Sequence, residues 1–522
     1  MQDLKLKVFK QRLLRVHVSV GILVSLLMYL SIFFGIFTIF MPYIQVWEKP
    51  SRHFEVSDIN IINYSSIINP VLKDPDFPQN NITIQLPGYK NDPALKITHR
   101  FVEPKVFNPN TEEKLQDESL NSKLGIFLNK MHQGQPMRFY GRLIYGFVCV
   151  AVMFLIVGGL LLVLYMKFNN NGKNQQSQFS KYHRKIFIWV SIPLLLVTLT
   201  GALMNIGFKG GGPMAYLLTK GEVSNIYKVT KPVLMPQENK IQRSNIKVPM
   251  MSINALIQKA KLINPELTLE ELILINWNDK TARIEFIGYN PYKPFLNGVY
   301  NRPKIILSAV DGELIKNIKV MDREWGALLT DALYFLHLLW GVGLITKLLM
   351  LVAMILSCFA MAFGVMLWLE KKAKKFDGKI IFYHWLGKLS LATMIGVIPS
   401  TALLFNLQWI LPFDMSERLL LQEAIFYLFW LFTLTWSFYR INSYTASKEF
   451  LFVGGMLFIS ATLVHYYVSG FSPLELFHNN MMSILGVDIG LILLGLSLLF
   501  VSYILPKDRN KAKQFWNKNY KG

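Results

Sequence analysis

From Val18 to Phe40 the chain carries no charged residue, a run longer than the roughly 20 residues a helix needs to cross the hydrocarbon of a bilayer. Comparable runs recur along all 522 residues, 52% of which are hydrophobic. This feature constrains the fold most. In lipid every backbone N–H and C=O must be paired within the protein, so apolar runs of this length fold as spanning helices. The first run is too long for a signal h-region, and no small-residue cleavage site follows it, so it is expected to be retained. The basic residues cluster beside the runs, at Lys5 to Arg15, Lys167 to Lys185, Lys371 to Lys379 and Lys507 to Lys521. Such clusters mark cytoplasmic ends. Eight spans place every cluster, and both termini, on the cytoplasmic side. Helix 1 runs from about His17 to Pro42, helix 2 from Tyr140 to Lys167, helix 3 from His183 to about Phe208, and helix 4 from about Leu328 to Leu369. Helices 5 to 8 cover His384 to Leu407, Leu419 to Tyr439, Phe450 to Val468 and Met482 to Leu505.

The same distribution excludes a nucleic-acid binder. The net charge is +22, but it borders the membrane runs instead of gathering on one soluble face. Cys149 and Cys358 both fall inside apolar runs, and no CxxC occurs. Two such cysteines exclude a disulfide framework or an iron–sulfur cluster and read as small buried hydrophobes.

Two polar inserts interrupt the first four spans. The first contains NITIQLPG and then KVFNPNTEEKL, a strand followed by strand–turn–strand. The second contains MSINALIQKAKLINPEL, whose apolar positions Ile253, Leu256, Ile257, Ala260 and Ile263 repeat with a helical period. Strands ELILINW, ARIEFIGY and KIILSAVDGELIKNI follow, with Asp311-Gly312 as a hairpin turn. The expected fold is a membrane all-α bundle of about eight transmembrane helices. Two small α+β modules on the outer side are inserted between helices 1 and 2 and between helices 3 and 4. The divisions are 1–42 for helix 1, 43–139 for the first module, 140–208 for helices 2 and 3, 209–326 for the second module, 327–370 for helix 4, and 371–522 for helices 5 to 8 with a cytoplasmic tail.

Four histidines stand at the ends of the first four runs. His17 and His183 open the outgoing helices 1 and 3, near the cytoplasmic face. His132 precedes helix 2 and His337 opens helix 4, both incoming, so these two lie near the outer face. Histidine at membrane depth is costly and marks function. Four of them at two levels form two imidazole pairs, one per leaflet, suited to clamp haem iron axially inside a bundle. Gly21 and Gly341, each four residues after a histidine, lie one helical turn along on the same face and leave room for a flat macrocycle. Gly158, Gly159 and Gly201 fit the same need or simple helix packing. His132 coordinates only if helix 2 starts early or its loop folds back, because Gly134 and Pro136 interrupt the segment. His384, opening helix 5, is a further candidate ligand, or a group serving a quinone or a proton. Lys347 is placed deep enough in helix 4 to meet a haem propionate, and long enough to snorkel to the interface instead. His53, His99 and His478 read as surface loop residues, and His465 as a packed histidine in helix 7.

At these residues the chain resembles the bacterial PepSY-associated transmembrane proteins, an iron-regulated inner-membrane group that includes ferric-siderophore reductases. The resemblance rests on His183-Arg184 with Pro193 and Thr200-Gly201, and on HLLWG at His337 to Gly341. HVSVG at His17 to Gly21 keeps the histidine and glycine but lacks the arginine, and Phe34-Gly35 stands in for the closing Thr-Gly. MSINALIQKAK leading to SAVDGELI resembles the PepSY module, VFNPNTEEKL resembles its closing hairpin, and HWLGKLSLATMIGVIP resembles the extended members.

The resemblance implies a bacterial inner-membrane location, periplasmic PepSY-like modules and two haem b groups held by His17, His183, His132 and His337. It also implies electron flow from quinol or a separate reductase to a periplasmic ferric siderophore or other ferric chelate. Such a protein is a haem-dependent ferric-siderophore reductase. No GxGxxG dinucleotide fingerprint follows a strand. The alternative is a non-enzymatic, membrane-anchored PepSY protein that binds peptides or regulates a protease. A permease is disfavoured, because no matched pair of broken helices occurs.

Overall fold

The computed structural model describes residues 2–55, 58, 61–166, 175–207, 211–234, 241–298, 301–339, 341–376, 381–440, 442–508 and 510–511. The expected tail beyond residue 511 and most of the short loop between the second and third spans lie outside them. Eight described helices are long and apolar enough to cross a membrane: Leu4–Ile39, Gln135–Tyr165, Gln175–Gly207, Leu344–Lys372, Ile381–Ile410, Arg418–Tyr439, Ser443–Ser469 and Met482–Ile504. They are the eight runs read from the sequence.

Helix α1 (Gln2–Ile39) is followed by a short helix α2 (Met41–Trp47), which opens on Pro42. The first insert then builds α3 (Tyr64–Lys73) and strands β1 (Ile82–Gln85), β2 (Leu95–His99), β3 (Val102–Phe107) and β4 (Lys114–Leu115). It returns through α4 (Leu124–His132). The left-handed Gly134, at φ 69°, ends that helix before α5 (Arg138–Tyr165) begins. Next come α6 (Gln175–Ala202), closed by a π-helical turn at Leu203–Gly207, then α7 (Gly211–Leu218) and α8 (Ile226–Leu234).

The second insert repeats the plan of the first. Helix α9 (Ile253–Ile263) precedes β5 (Thr268–Ile275), β6 (Arg283–Tyr289), β7 (Lys304–Ser308) and β8 (Leu314–Ile318). Ser252 caps α9 by accepting a hydrogen bond from the Ala255 N–H at 3.2 Å. The two inserts do not stand apart as two modules. They share one eight-stranded sheet in the order β4-β3-β2-β1-β5-β6-β7-β8. The halves join through antiparallel β1 and β5, where Ile84 lies opposite Leu272. Leucines and isoleucines of both halves, with α3 and α9, fill a single apolar core.

Helix 4, expected as one continuous helix, is two. Helix α10 (Trp325–Leu338) ends at Leu339, which adopts φ 52°, and Gly341 follows at φ 72°. The span itself is α11 (Leu344–Phe376). The left-handed backbone stops helical hydrogen bonding, and a glycine takes that conformation at least cost. The remaining helices are α12 (Ile381–Leu391), α13 (Val397–Ile410) after a π-helical turn at Ala392–Gly396, α14 (Arg418–Tyr439), α15 (Ser443–Ser469), α16 (Pro473–His478) and α17 (Met482–Ile504). Helices α1, α5, α6 and α11 pack together, as do α13, α14, α15 and α17. The Tyr29 hydroxyl of α1 donates to the Met394 carbonyl at 2.7 Å and ties the two groups.

Candidate functional site

The four spans α1, α5, α6 and α11 are connected so that the sheet lies at one end of the bundle. His17 sits on α1 toward the opposite end. His183 lies on α6 at the same level, and the two rings face each other with centres 6.3 Å apart and planes at 68°. At the sheet end His132 faces His337, with ring centres 5.9 Å apart and planes at 36°. From His17 to Ser31, beside which His132 lies, α1 rises about 20 Å at 1.5 Å per residue. The structure thus brings the four histidines together in two pairs at two levels. His132 reaches its place by the folded-back route, as the last residue of α4, which packs along α1.

One local device positions the rings. His132 Nδ1 lies 2.7 Å from the Ser31 carbonyl, and Gly35 stands four residues further along the same helix. His183 Nδ1 lies 2.7 Å from the Ala360 carbonyl, with Gly364 four residues on. The backbone of Val197 acts on His337, again four residues before the glycine that ring meets, Gly201. His337 Nδ1 also sits 2.9 Å from Thr200 Oγ1. That hydroxyl already donates to the Leu196 carbonyl at 2.7 Å, so it accepts from the imidazole. His17 meets Gly159, four residues after Leu155. The Leu155 backbone lies near His17 without meeting hydrogen-bond geometry, and His17 Nδ1 is buried with no hydrogen-bond partner.

The physical reason is helical geometry. The carbonyl of residue i points toward residue i+4, and a side chain there would cover it. A Cβ added at Gly35, Gly364, Gly159 or Gly201 would come within 3.0, 3.1, 3.3 or 3.4 Å of the facing imidazole, respectively. Glycine lets the ring approach and reach the carbonyl. In three of the four rings Nδ1 is committed as the donor, which leaves Nε2 with a free lone pair. That arrangement of a metal-ligating imidazole fixes its tautomer and orientation.

The ring spacing of each pair would suit a metal ion held between its two imidazoles. Two imidazoles on opposite sides of one ion, each bonded at roughly 2 Å, have ring centres about 6 Å apart. Among the described residues no group of three or more His, Cys, Asp or Glu side chains converges to hold a bare ion. A pair supplies only two ligands, and a macrocycle would supply the rest. All four imidazoles are half-buried. Outside the spanning segments, burial pushes the His337 imidazole down to about 3 and lowers His132 as well. Both rings are thus held neutral, the form that ligates metal.

Other expected positions differ. At Gly21 a Cβ would meet nothing within 4 Å, so the space one turn past His17 is open. Gly341 does not lie on the face of His337, because the helix has ended; it is a turn glycine. His384 is not brought to either pair. It stands exposed on α12, its ring 6.1 Å from Phe438. Lys347 is not deep in a span. It lies in the first turn of α11, with Nζ 4.8 Å from the Tyr43 ring centre. His53, read as a surface residue, is buried at 8% exposure, and its Nε2 lies 2.9 Å from His465 Nε2. Cys149 and Cys358 are buried and free. The glycines that face the rings belong to other helices than the histidines they serve, so spacing along one helix did not reveal them.

The family model described as the PepSY-associated TM region matches residues 14–371, which include all four histidines. No curated protein matches the chain.

Proposed function

Because the chain belongs to the family of PepSY-associated transmembrane proteins, we propose that it carries electrons across a membrane through two haem b groups. One is held by His17 and His183, the other by His132 and His337. The single observation behind this reading is the meeting of four imidazoles as two facing pairs about 20 Å apart along α1. Bound haem supplies a one-electron carrier at each level. The protein's own residues do the rest. Carbonyls of Ser31 and Ala360 hold the rings in one tautomer, and second-shell bonds of this kind tune a bound metal. The apolar bundle excludes water and sets potential by burial.

On this reading the sheet faces the periplasm of a bacterial inner membrane, both termini are cytoplasmic, and quinol or a separate reductase donates from the far side. The acceptor is a ferric siderophore or a similar ferric chelate, reduced by one electron per iron. Oxygen-donor chelators hold hard ferric iron far better than ferrous iron, so this reduction is a release step. Lys347, whose Nζ lies 4.8 Å from the Tyr43 ring centre, would supply positive charge for a haem propionate.

Absorption spectra and the haem-to-protein ratio of the purified chain test the proposal. A low-spin bis-imidazole spectrum with two haems per chain is expected, and His183→Ala and His337→Ala should each remove one. Protein produced with ample haem that binds none would sink the reading.

A further inference from the structure

A third histidine pair lies outside both candidate haem sites, where the inserted segments meet the last helices. His465 on α15 and Asp488 on α17 are fully buried, and His53 follows α2. His465 Nδ1 lies 3.0 Å from both Asp488 oxygens. Its Nε2 lies 2.9 Å from His53 Nε2, and His53 Nδ1 lies 2.9 Å from the Lys49 carbonyl. A carbonyl can only accept, so His53 Nδ1 carries a proton. If Asp488 is ionised, His465 Nδ1 carries one too. Two neutral rings would then face each other through bare lone pairs at 2.9 Å, which is repulsive. One further proton must lie between them. The alternative tautomer, a protonated Asp488 donating to His465 Nδ1, puts the same proton on the carboxyl and leaves His465 Nε2–H to donate to His53. In both cases the three groups together hold three protons, one more than an ionised carboxyl with two neutral imidazoles, and carry no net charge. The Trp47 indole donates to Asp488 at 2.8 Å and the Tyr466 hydroxyl also reaches it.

The surroundings keep the proton inside. Trp47, Trp409 and Phe471 enclose the two imidazoles, with ring centres 4.6 Å apart between Trp409 and His465 and 5.8 Å between His53 and Phe471. The other ionisable neighbours are already engaged. Glu48 on the C-terminal side of α2 accepts from the Gly125 N–H at 2.7 Å, and Arg418 at the start of α14 acts on Glu48 and bonds the Asn121 carbonyl. Lys49 feels Glu48, Arg52, Asp92 and Asp117, and Arg52 is paired with Asp92 and Asp117. His53, at the sheet end, is the one member of the three with any exposure.

We propose that Asp488, His465 and His53 form a buried proton relay that holds one proton in common and exchanges it at the sheet end of the bundle. Its use rests on the electron-transfer reading above: an electron arriving at the nearby haem level is compensated when the relay binds one proton from water, the Asp488 carboxylate becoming a carboxylic acid while the imidazolium is kept. Three of the side chains that build the relay, Trp409, His465 and Asp488, lie beyond the segment matched by the family model.

Two measurements on the full chain test this. The first needs no haem. In protein labelled with 15N-histidine, a shared N–H···N proton should couple the two Nε2 nuclei, and the coupling should vanish in His53→Gln; in Asp488→Asn the coupling should remain while His465 Nδ1 loses its proton to become an acceptor of the asparagine amide. Two uncoupled neutral imidazoles, or a metal ion bound between them, overturn the relay. The second follows the midpoint potential of the bound haem with pH. One proton per electron gives about 59 mV per pH unit, and Asp488→Asn should flatten the slope. A slope that is absent in the parent protein, or unchanged in Asp488→Asn, overturns the compensating role. Protein without haem overturns the electron-transfer reading and the compensating role together, while the first measurement still decides the relay.

Discussion

At the scale of single residues, the glycines facing the histidines matter as much as the histidines. Gly364 leaves the Ala360 carbonyl open to His183, and a Cβ there would lie 3.1 Å from the ring. On the haem reading, Gly364→Val should lower the haem ratio by one and leave the spectrum of the His132–His337 pair intact. Loss of both haems, or of neither, would contradict the carbonyl device. Glu48 makes a second residue-scale prediction. Its carboxyl is 1% exposed, and burial pushes it up to about 7 from an ordinary value of 4.5, with the Gly125 N–H pulling the other way. A folded-state value above the unfolded one contributes stability that is complete below about 4.5 and lost as pH rises through about 7. The loss amounts to roughly 3 kcal/mol. Melting temperatures of the parent protein should therefore fall between these pH values, and those of Glu48→Gln should not.

At the scale of elements, two glycines of the same sequence motif have opposite roles. Gly21 lies inside α1 with nothing within 4 Å of an added Cβ, whereas Gly341 sits at φ 72° between α10 and α11. Gly21→Ala should stabilise the haem-free protein by up to about 1 kcal/mol, since alanine is the better helix former. Gly341→Ala should destabilise it by about 1–2 kcal/mol through the left-handed backbone. Thermal unfolding of the two variants side by side checks the contrast, and equal signs would show that the break after α10 has been misread. The motif spacing is the same; only the backbone conformation separates them.

At the scale of the molecule, the two inserts fold as one body. Ile84 and Leu272 are fully buried and paired across the β1–β5 seam. Truncation of a buried leucine costs about 2–5 kcal/mol. Leu272→Ala should therefore weaken amide protection in β1 to β4 as well as in β5 to β8, read by hydrogen exchange. Loss confined to the second insert would mean that the halves are independent. Helix α4, which carries His132, follows β4, and α10, which carries His337, follows β8, so each insert leads into one member of the sheet-end pair.

The sequence by itself determined the eight spans, because a hydrocarbon run is a local property and backbone pairing in lipid leaves one solution. It also determined the levels of His17, His132, His183 and His337, since depth follows from run direction. The hairpin at Asp311-Gly312 and the helix after Ser252 were legible for the same local reason. Only the tertiary structure decided which atoms meet. The glycine that serves each ring lies on another helix, the β1–β5 seam joins strands about two hundred positions apart, and His53 meets His465 across a separation of 412 residues. A loop histidine and a helix histidine carry no mark of each other in the sequence. Their contact, and the proton it demands, arise when α2, α15 and α17 are packed together and water is excluded from between them.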